Sequence, residues 1–120
     1  MKEKDIHERI YQFVLRVLRL LSSLPKNQIN LNVINQCSRS VTSVGANDQE
    51  ADACSSKRDF LAKYGIVKKE LKETNYWLRL IVDINPQLKK QMKDIIQEGK
   101  EIPLIVSTII KNTRKGNETK

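Results

Sequence analysis

His7, Cys37 and Cys54 are the side chains of this 120-residue chain best suited to nucleophilic or metal chemistry near neutral pH, and His7 is the only histidine. Their spacing does not assemble a reaction centre. There is no C-x-x-C and no Cys/His cluster to hold a structural zinc ion. A di-iron helical bundle needs Glu-x-x-His pairs on two helices, and one histidine cannot supply them. No Ser or Cys has an evident base partner, and the four glycines are isolated rather than gathered into a phosphate-binding loop. His7 reads as a surface residue. Cys37 and Cys54, placed on one helix, would lie roughly 25 Å apart at a rise of 1.5 Å per residue, too far for a disulfide. They read as free thiols of a reducing cytoplasm. The expectation is a protein that is not an enzyme and carries neither cofactor nor metal.

Cationic side chains offer a different chemistry. The chain has 22 Lys and Arg against 14 Asp and Glu, a net charge of +8, and a pI near 9.6. Acidic partners such as RNA, DNA or an anionic surface suit that balance. The basic residues recur at helical spacing. Arg9 and Arg16 lie seven apart, with Arg19 and Lys26 on the neighbouring row. Arg58, Lys72 and Arg79 recur at multiples of seven, with Lys68 one turn before Lys72, and Lys89, Lys93 and Lys100 repeat the pattern further on. Such rows can touch successive phosphates, with salt-dependent and sequence-independent affinity; each can equally be a solvated face that keeps the protein soluble. Arg9, Arg16, Arg19, Lys68, Lys72 and Arg79 are the candidate phosphate contacts. Tyr76-Trp77 is the one aromatic pair, able to stack on a base or, more commonly, to fill a packing interface.

The elements that must carry these rows are helices. Ile6, Ile10, Phe13, Val17, Leu20 and Leu24 are spaced alternately four and three apart, the seam of a helix in a bundle. Leu24-Pro25 ends that helix. Ile34, Cys37, Val41, Val44, Asp48 and Ala51 make a second seam, with Asp48 where an apolar group belongs. Ser56 and Asp59 form an S-x-x-D start signal for a third, carrying Phe60, Tyr64, Val67, Leu71, Thr74, Leu78 and Ile81. Asn85-Pro86 marks a stop and restart, Asn85 as N-cap. Leu88, Met92, Ile95, Gly99, Ile102, Val106 and Ile109 follow, with Pro103 predicting a kink or break near residues 99–103. The prediction is an all-α, antiparallel up-down-up-down four-helix bundle over residues 1–112. Its helices run about 4–24, 31–54, 57–83 and 86–112, and residues 113–120 form a polar tail. The apolar runs are too short for a membrane span, and the charged start does not resemble a signal peptide.

The second helix is unusual for its polar middle. Ser38, Arg39, Ser40, Thr42, Ser43, Asn47, Asp48, Gln49 and Glu50 surround a thin apolar stripe. Gly45 costs roughly 1 kcal/mol against Ala inside a helix, which a close backbone approach would explain. Ser43, Asn47 and Glu50 are the candidates for a structural polar turn, hydrogen-bonded where helices cross tightly; a wet face is the alternative.

Thr42-Ser43-Val44-Gly45-Ala46-Asn47, Glu50-Ala51, Ser56, Asp59-Phe60, Lys63, Ile66, Lys69-Glu70, Glu73 and Tyr76-Trp77-Leu78 together form a dense pattern over residues 38–80. The pattern resembles the bacterial four-helix-bundle family associated with intervening sequences of 23S ribosomal RNA genes. Asp48-Gln49 departs from it, where an aromatic and an acid are expected. The resemblance implies a cytoplasmic homo-oligomer, a pentameric ring in the family's known arrangement, whose biochemical role is largely uncharacterised. In such a ring the basic rows of several subunits would converge and their fields would add. A related fold is the accessory subunit of diversity-generating retroelements, where a basic ring binds nucleic acid and a reverse transcriptase. The leading expectation is therefore a non-enzymatic oligomer binding structured RNA or DNA through basic faces. The alternative is an adaptor for a nucleic-acid enzyme such as a reverse transcriptase.

Overall fold

Most of each seam read from the sequence is buried, with Ile34, Phe60, Leu88 and Ile109 packed at its edges, and the four seams close one core. The computed structural model describes the backbone of residues 3–119 and the side chains of residues 6–116. Its helices are α1 (Glu3–Ser23), α2 (Gln28–Asp52), α3 (Lys57–Ile84) and α4 (Lys89–Thr119), with a 3-10 turn at Pro86–Leu88 leading into α4. Each helix packs against its two neighbours in an up-down-up-down bundle, α4 closing the ring against α1. The rod measures 53 × 22 × 18 Å. Phe13, Val17, Val41, Val44, Tyr64, Leu71, Leu78, Met92 and Ile102 lie at its centre. Full burial of such side chains is worth roughly 1.5–3 kcal/mol each.

The ends of the helices have local causes. Asn27 accepts a hydrogen bond from the Asn30 amide at 2.9 Å, so α2 starts at Gln28, three residues before the expected boundary. Ser56 caps α3 by accepting from the Asp59 amide at 3.1 Å. Pro86 opens the final turn as expected, but Asn85 makes no side-chain cap. Its amide faces inward instead. Asn85 Nδ2 donates to Asn30 Oδ1 at 3.1 Å, and Asn30 Nδ2 donates back to Asn85 Oδ1 at 3.4 Å, a buried amide pair locking α2 to the end of α3. α4 runs to Thr119, through the segment expected to be a polar tail. Within it the buried row passes from Val106 to Ile110, leaving Ile109 partly exposed.

Pro103 does not break α4. Having no N–H, it cannot satisfy the carbonyl four residues earlier, that of Gly99. Asn75 of α3 fills the gap, its Nδ2 donating to the Gly99 oxygen at 2.7 Å. Glycine at position 99 is required for this, since a Cβ there would overlap Asn75 Oδ1. Gly45 answers the same need between α1 and α2: a Cβ would sit 3.3 Å from Val14 Cγ2, the close approach expected from the sequence.

The Asn75 bond predicts a thermodynamic coupling. Asn75→Ala should destabilise the protein by about 1–3 kcal/mol by orphaning the Gly99 carbonyl. Introduced together with Pro103→Ala, which restores the missing amide, it should cost at least about 1 kcal/mol less. Urea unfolding of the four members of the cycle measures the difference; additive effects would contradict the pairing.

Candidate nucleic-acid interface

The basic residues divide into those paired with carboxylates of a neighbouring helix and those without such a partner. Arg9 belongs to the first group. Its Nε donates to Glu98 Oε2 at 2.7 Å, and its Nη2 donates to Glu98 Oε1 at 2.8 Å and Glu101 Oε1 at 2.6 Å, fastening α1 to α4. These carboxylates, Glu98 foremost, strengthen the hold of the guanidinium on its proton. Gln97 and then Arg9 keep the Glu101 carboxyl below its ordinary range. Arg9, a candidate phosphate contact by its spacing, is already paired twice. Arg39 is engaged in the same way with Glu73, and stands 3.5 Å from Glu70, tying α2 to α3. Trp77 Nε1 donates to Glu73 Oε2 at 3.0 Å; that bond, then Arg39, lowers the pKa of the Glu73 carboxyl.

Lys68, Lys72, Arg79 and Lys100 behave differently. All four are exposed. Among the described residues no carboxylate lies within ion-pair distance of Lys68, Lys72 or Lys100, and Arg79 has only its own-helix Asp83 at 4.0 Å. They border two adjoining hollows between α3 and α4 that share Asn75 and Lys100. One, of about 370 Å³, is floored by Leu78, Val82 and Ile96 and edged by Arg79 and Lys100. The other, of about 510 Å³, lies among Gly65, Lys68, Lys69, Lys72, Gly99 and Pro103. The sequence rows brought Lys68, Lys72 and Arg79 to one face of α3, and the fold adds Lys100 from α4 opposite them. Lys69 escaped the periodic reading because it begins the next row. Arg16 and Arg19 lie on α1, away from this groove: Arg19 is exposed, Arg16 half-buried.

The polar turn of α2 is resolved into separate pieces. Asn47 Nδ2 donates to the Ser43 carbonyl at 2.9 Å and to Ser43 Oγ at 3.1 Å, both within the same helix. Glu50 is exposed and pairs with Lys63 at 2.6 Å, a hydrogen bond that raises the lysine pKa. The residue joining helices in the buried interior here is Asp48, 1% exposed. Tyr64 Oη donates to Asp48 Oδ1 at 2.6 Å. His7 Nδ1 lies 2.9 and 3.0 Å from the two Asp48 oxygens, and its Nε2 lies 3.2 Å from Asp52. The expectation that His7 is a surface residue is therefore corrected: its side chain is 15% exposed. A carboxylate on a buried seam requires donors, which the sequence did signal; the register of antiparallel α1 and α2, which brings residue 7 beside residues 48 and 52, comes from the fold. Tyr76 and Trp77 flank buried Leu78, with Tyr76 exposed and Trp77 packed on the core, their rings 4.9 Å apart.

Asp48→Ala should cost about 2 kcal/mol or more, because Tyr64 Oη loses the carboxylate that accepts its hydrogen bond in the core and His7 loses one of its two carboxylates. Asn47→Ala, which loses bonds only within α2, should cost under about 1 kcal/mol; equal losses in thermal unfolding would contradict this division. The cysteines supply a pH test. Burial, and secondarily Glu73, raises the Cys37 thiol from its ordinary 9.0 to about 12. Between those values the unfolded chain releases a proton that the folded chain keeps, so stability should fall as pH rises from 9, by at most about 1.4 kcal/mol per pH unit. Cys37→Ala should remove that slope relative to the parent. In the native protein iodoacetamide should modify half-buried Cys54 well before Cys37.

No curated protein matches the sequence. The model of the 23S rRNA-intervening sequence protein family matches residues 2–108. A crystal structure of a protein of unknown function from the S23 ribosomal protein family of Bacteroides thetaiotaomicron VPI-5482 superposes with a TM-score of 0.83 at 33% identity, over 92% of this chain and 99% of that one. With the four helices in the same arrangement and the family's pattern running through α2 and α3, the chain belongs to the 23S rRNA-intervening sequence protein family.

Proposed function

We propose that this protein is a non-enzymatic, self-associating helical bundle of the cytoplasm that binds structured RNA or DNA through its basic faces. The supporting observation is the division of its cations. Arg9 and Arg39 are paired with carboxylates of a neighbouring helix, whereas Lys68, Lys72, Arg79 and Lys100 project together along the α3–α4 groove. Clustered charge of one sign, left without a carboxylate from a neighbouring helix, attracts a polyanion and releases its counterions. The names of the family and of its solved member, which refer to ribosomal RNA and to a ribosomal protein family, agree with RNA as that polyanion. No described helix is long and apolar enough to cross a membrane, and two free thiols suit a reducing compartment. Self-association, as the pentamer of the family resemblance, would set several such grooves side by side. Exposed Tyr76, Ile66 and Leu104 are apolar groups available for subunit contact.

An adaptor for a nucleic-acid enzyme such as a reverse transcriptase is the second reading, favoured by those same exposed apolar residues. Titration of nuclease-treated protein against a structured RNA and a duplex DNA across a salt series separates the two. The nucleic-acid reading expects a steep log–log dependence on salt, and a solution mass of several chains. Lys68→Glu with Lys72→Glu should weaken binding and reduce the slope by about two, roughly one for each phosphate no longer neutralised. Arg16→Glu with Arg19→Glu tests the α1 row in the same way. Binding indifferent to both pairs, or absent at low salt, would transfer the function to the adaptor.

A further inference from the structure

We infer that the α3–α4 groove holds a single unstacked nucleotide of an RNA loop or bulge, its base seated over Leu78, Val82 and Ile96 and the adjoining phosphates on Lys72, Lys68 and Lys100. The inference rests on the nucleic-acid reading and specifies what the groove accepts. A face that served only to track phosphates would be flat and polar. This one is concave, and its smaller hollow combines an apolar floor with two cations and an amide. A cavity of about 370 Å³ is at the small end of the range of small-ligand pockets. Arg79, 82% exposed at the rim, carries a planar guanidinium that can cover the upper face of a base. Asn75 has one amide hydrogen bond fixed to Gly99, which orients its side chain at the border between the two hollows.

The second hollow continues the first without another apolar floor. Gly65, Gly99 and Pro103 keep its walls low, while Lys68, Lys69 and Lys72 stand on one side and Lys100 on the other. From residue 68 to residue 79 the α3 surface extends about 16 Å at 1.5 Å per residue, a row long enough to follow a strand for more than one phosphate. An acidic amphipathic helix from a protein would find only Leu78, Val82 and Ile96 to bury, a patch shorter than the apolar stripe such a helix presents. Paired RNA stacks its bases inward, so loops and bulges are where a base is free to enter.

The experiment uses the full chain and two fluorescein-labelled RNA probes: a hairpin with a one-nucleotide bulge and the same hairpin fully paired. Wild type should bind the bulged probe more tightly, by about fivefold or more, as expected for one base stacked in a site. Val82→Phe, which fills the hollow without altering charge, should abolish that preference and leave binding to the paired hairpin unchanged. Ile96→Phe repeats the test from α4, and each variant is checked by thermal unfolding against wild type. Lys100→Glu should weaken both probes. Equal binding of the two hairpins by wild type, or a preference that survives in folded Val82→Phe and Ile96→Phe, would overturn the base site while leaving phosphate binding intact. With a Glu-rich amphipathic peptide as a third probe, binding of that peptide by wild type and its loss in Val82→Phe, without any preference between the hairpins, would overturn the base site in favour of protein docking. Failure of wild type to bind either hairpin at low salt would overturn the nucleic-acid reading and the base site together.

Discussion

A carboxylate withdrawn from water must be met by donors, and Asp48 takes its donors from two other helices. Tyr64 reaches it from α3 and His7 from α1. Apolar seams alone specify helix contact but tolerate sliding, because hydrophobic burial is non-directional. Hydrogen bonds do not tolerate it. With Asp48 at one end of the bundle and the Asn30–Asn85 amide pair at the other, α2 and α3 are fixed in register at both extremities. Between them Ser40 and Thr74 meet at 2.8 Å in the core. α1 is set against α2 by His7 and against α4 by Arg9; α4 is set against α3 by Asn75. Every neighbouring pair of helices thus carries a polar contact that a shift of one turn would destroy.

The same contacts determine which charges remain for other work. Arg9 and Arg39 resemble the outward cations in sequence spacing, yet each is held by two carboxylates. Removing either would weaken the bundle before it altered a surface. By contrast, four carboxylates of α3 and α4 are engaged on the α2 and α1 sides, Glu70 and Glu73 facing Arg39 and Glu98 and Glu101 facing Arg9. That placement leaves Lys68, Lys69, Lys72, Arg79 and Lys100 around the α3–α4 groove with no carboxylate among its lining residues. The positive field is created as much by where the carboxylates point as by where the lysines stand.

The four helices, their order and nearly all their core residues were legible because a seam spaced three and four has one simple solution, a bundle. What periodicity cannot convey is partnership across helices. Arg9 fitted a phosphate row until Glu98 and Glu101 were placed beside it, and Asn85 fitted a cap until Asn30 arrived from α2. His7, near the start of α1, carried no local sign of burial. Asp48 did carry a sign, as the one charge on an apolar seam, but naming its donors required the register of α1 and α3. Lys68, Lys72 and Arg79 were found correctly as one row of α3; the groove they border was not, because its other wall comes from α4, a separate helix further along the chain.

Pro103 links the architecture to that groove. A proline inside a helix leaves a carbonyl unpaired and bends or breaks the helix unless another donor replaces the missing amide. Asn75 replaces it, and can do so only because residue 99 has no side chain. The repair therefore places a glycine and a proline on the face of α4 opposite the lysines of α3, where larger side chains would otherwise fill the space between the two helices. Gly65, with nothing near its absent Cβ, extends the depression along α3. The groove follows from how α4 keeps its helix continuous through a proline. Its cationic rim follows in part from how Glu70, Glu73, Glu98 and Glu101 are directed into holding α1 and α2. A single set of packing constraints thus yields both the shape and the sign of the surface, so a substitution that fills Gly99 would displace Asn75 and close the site it adjoins.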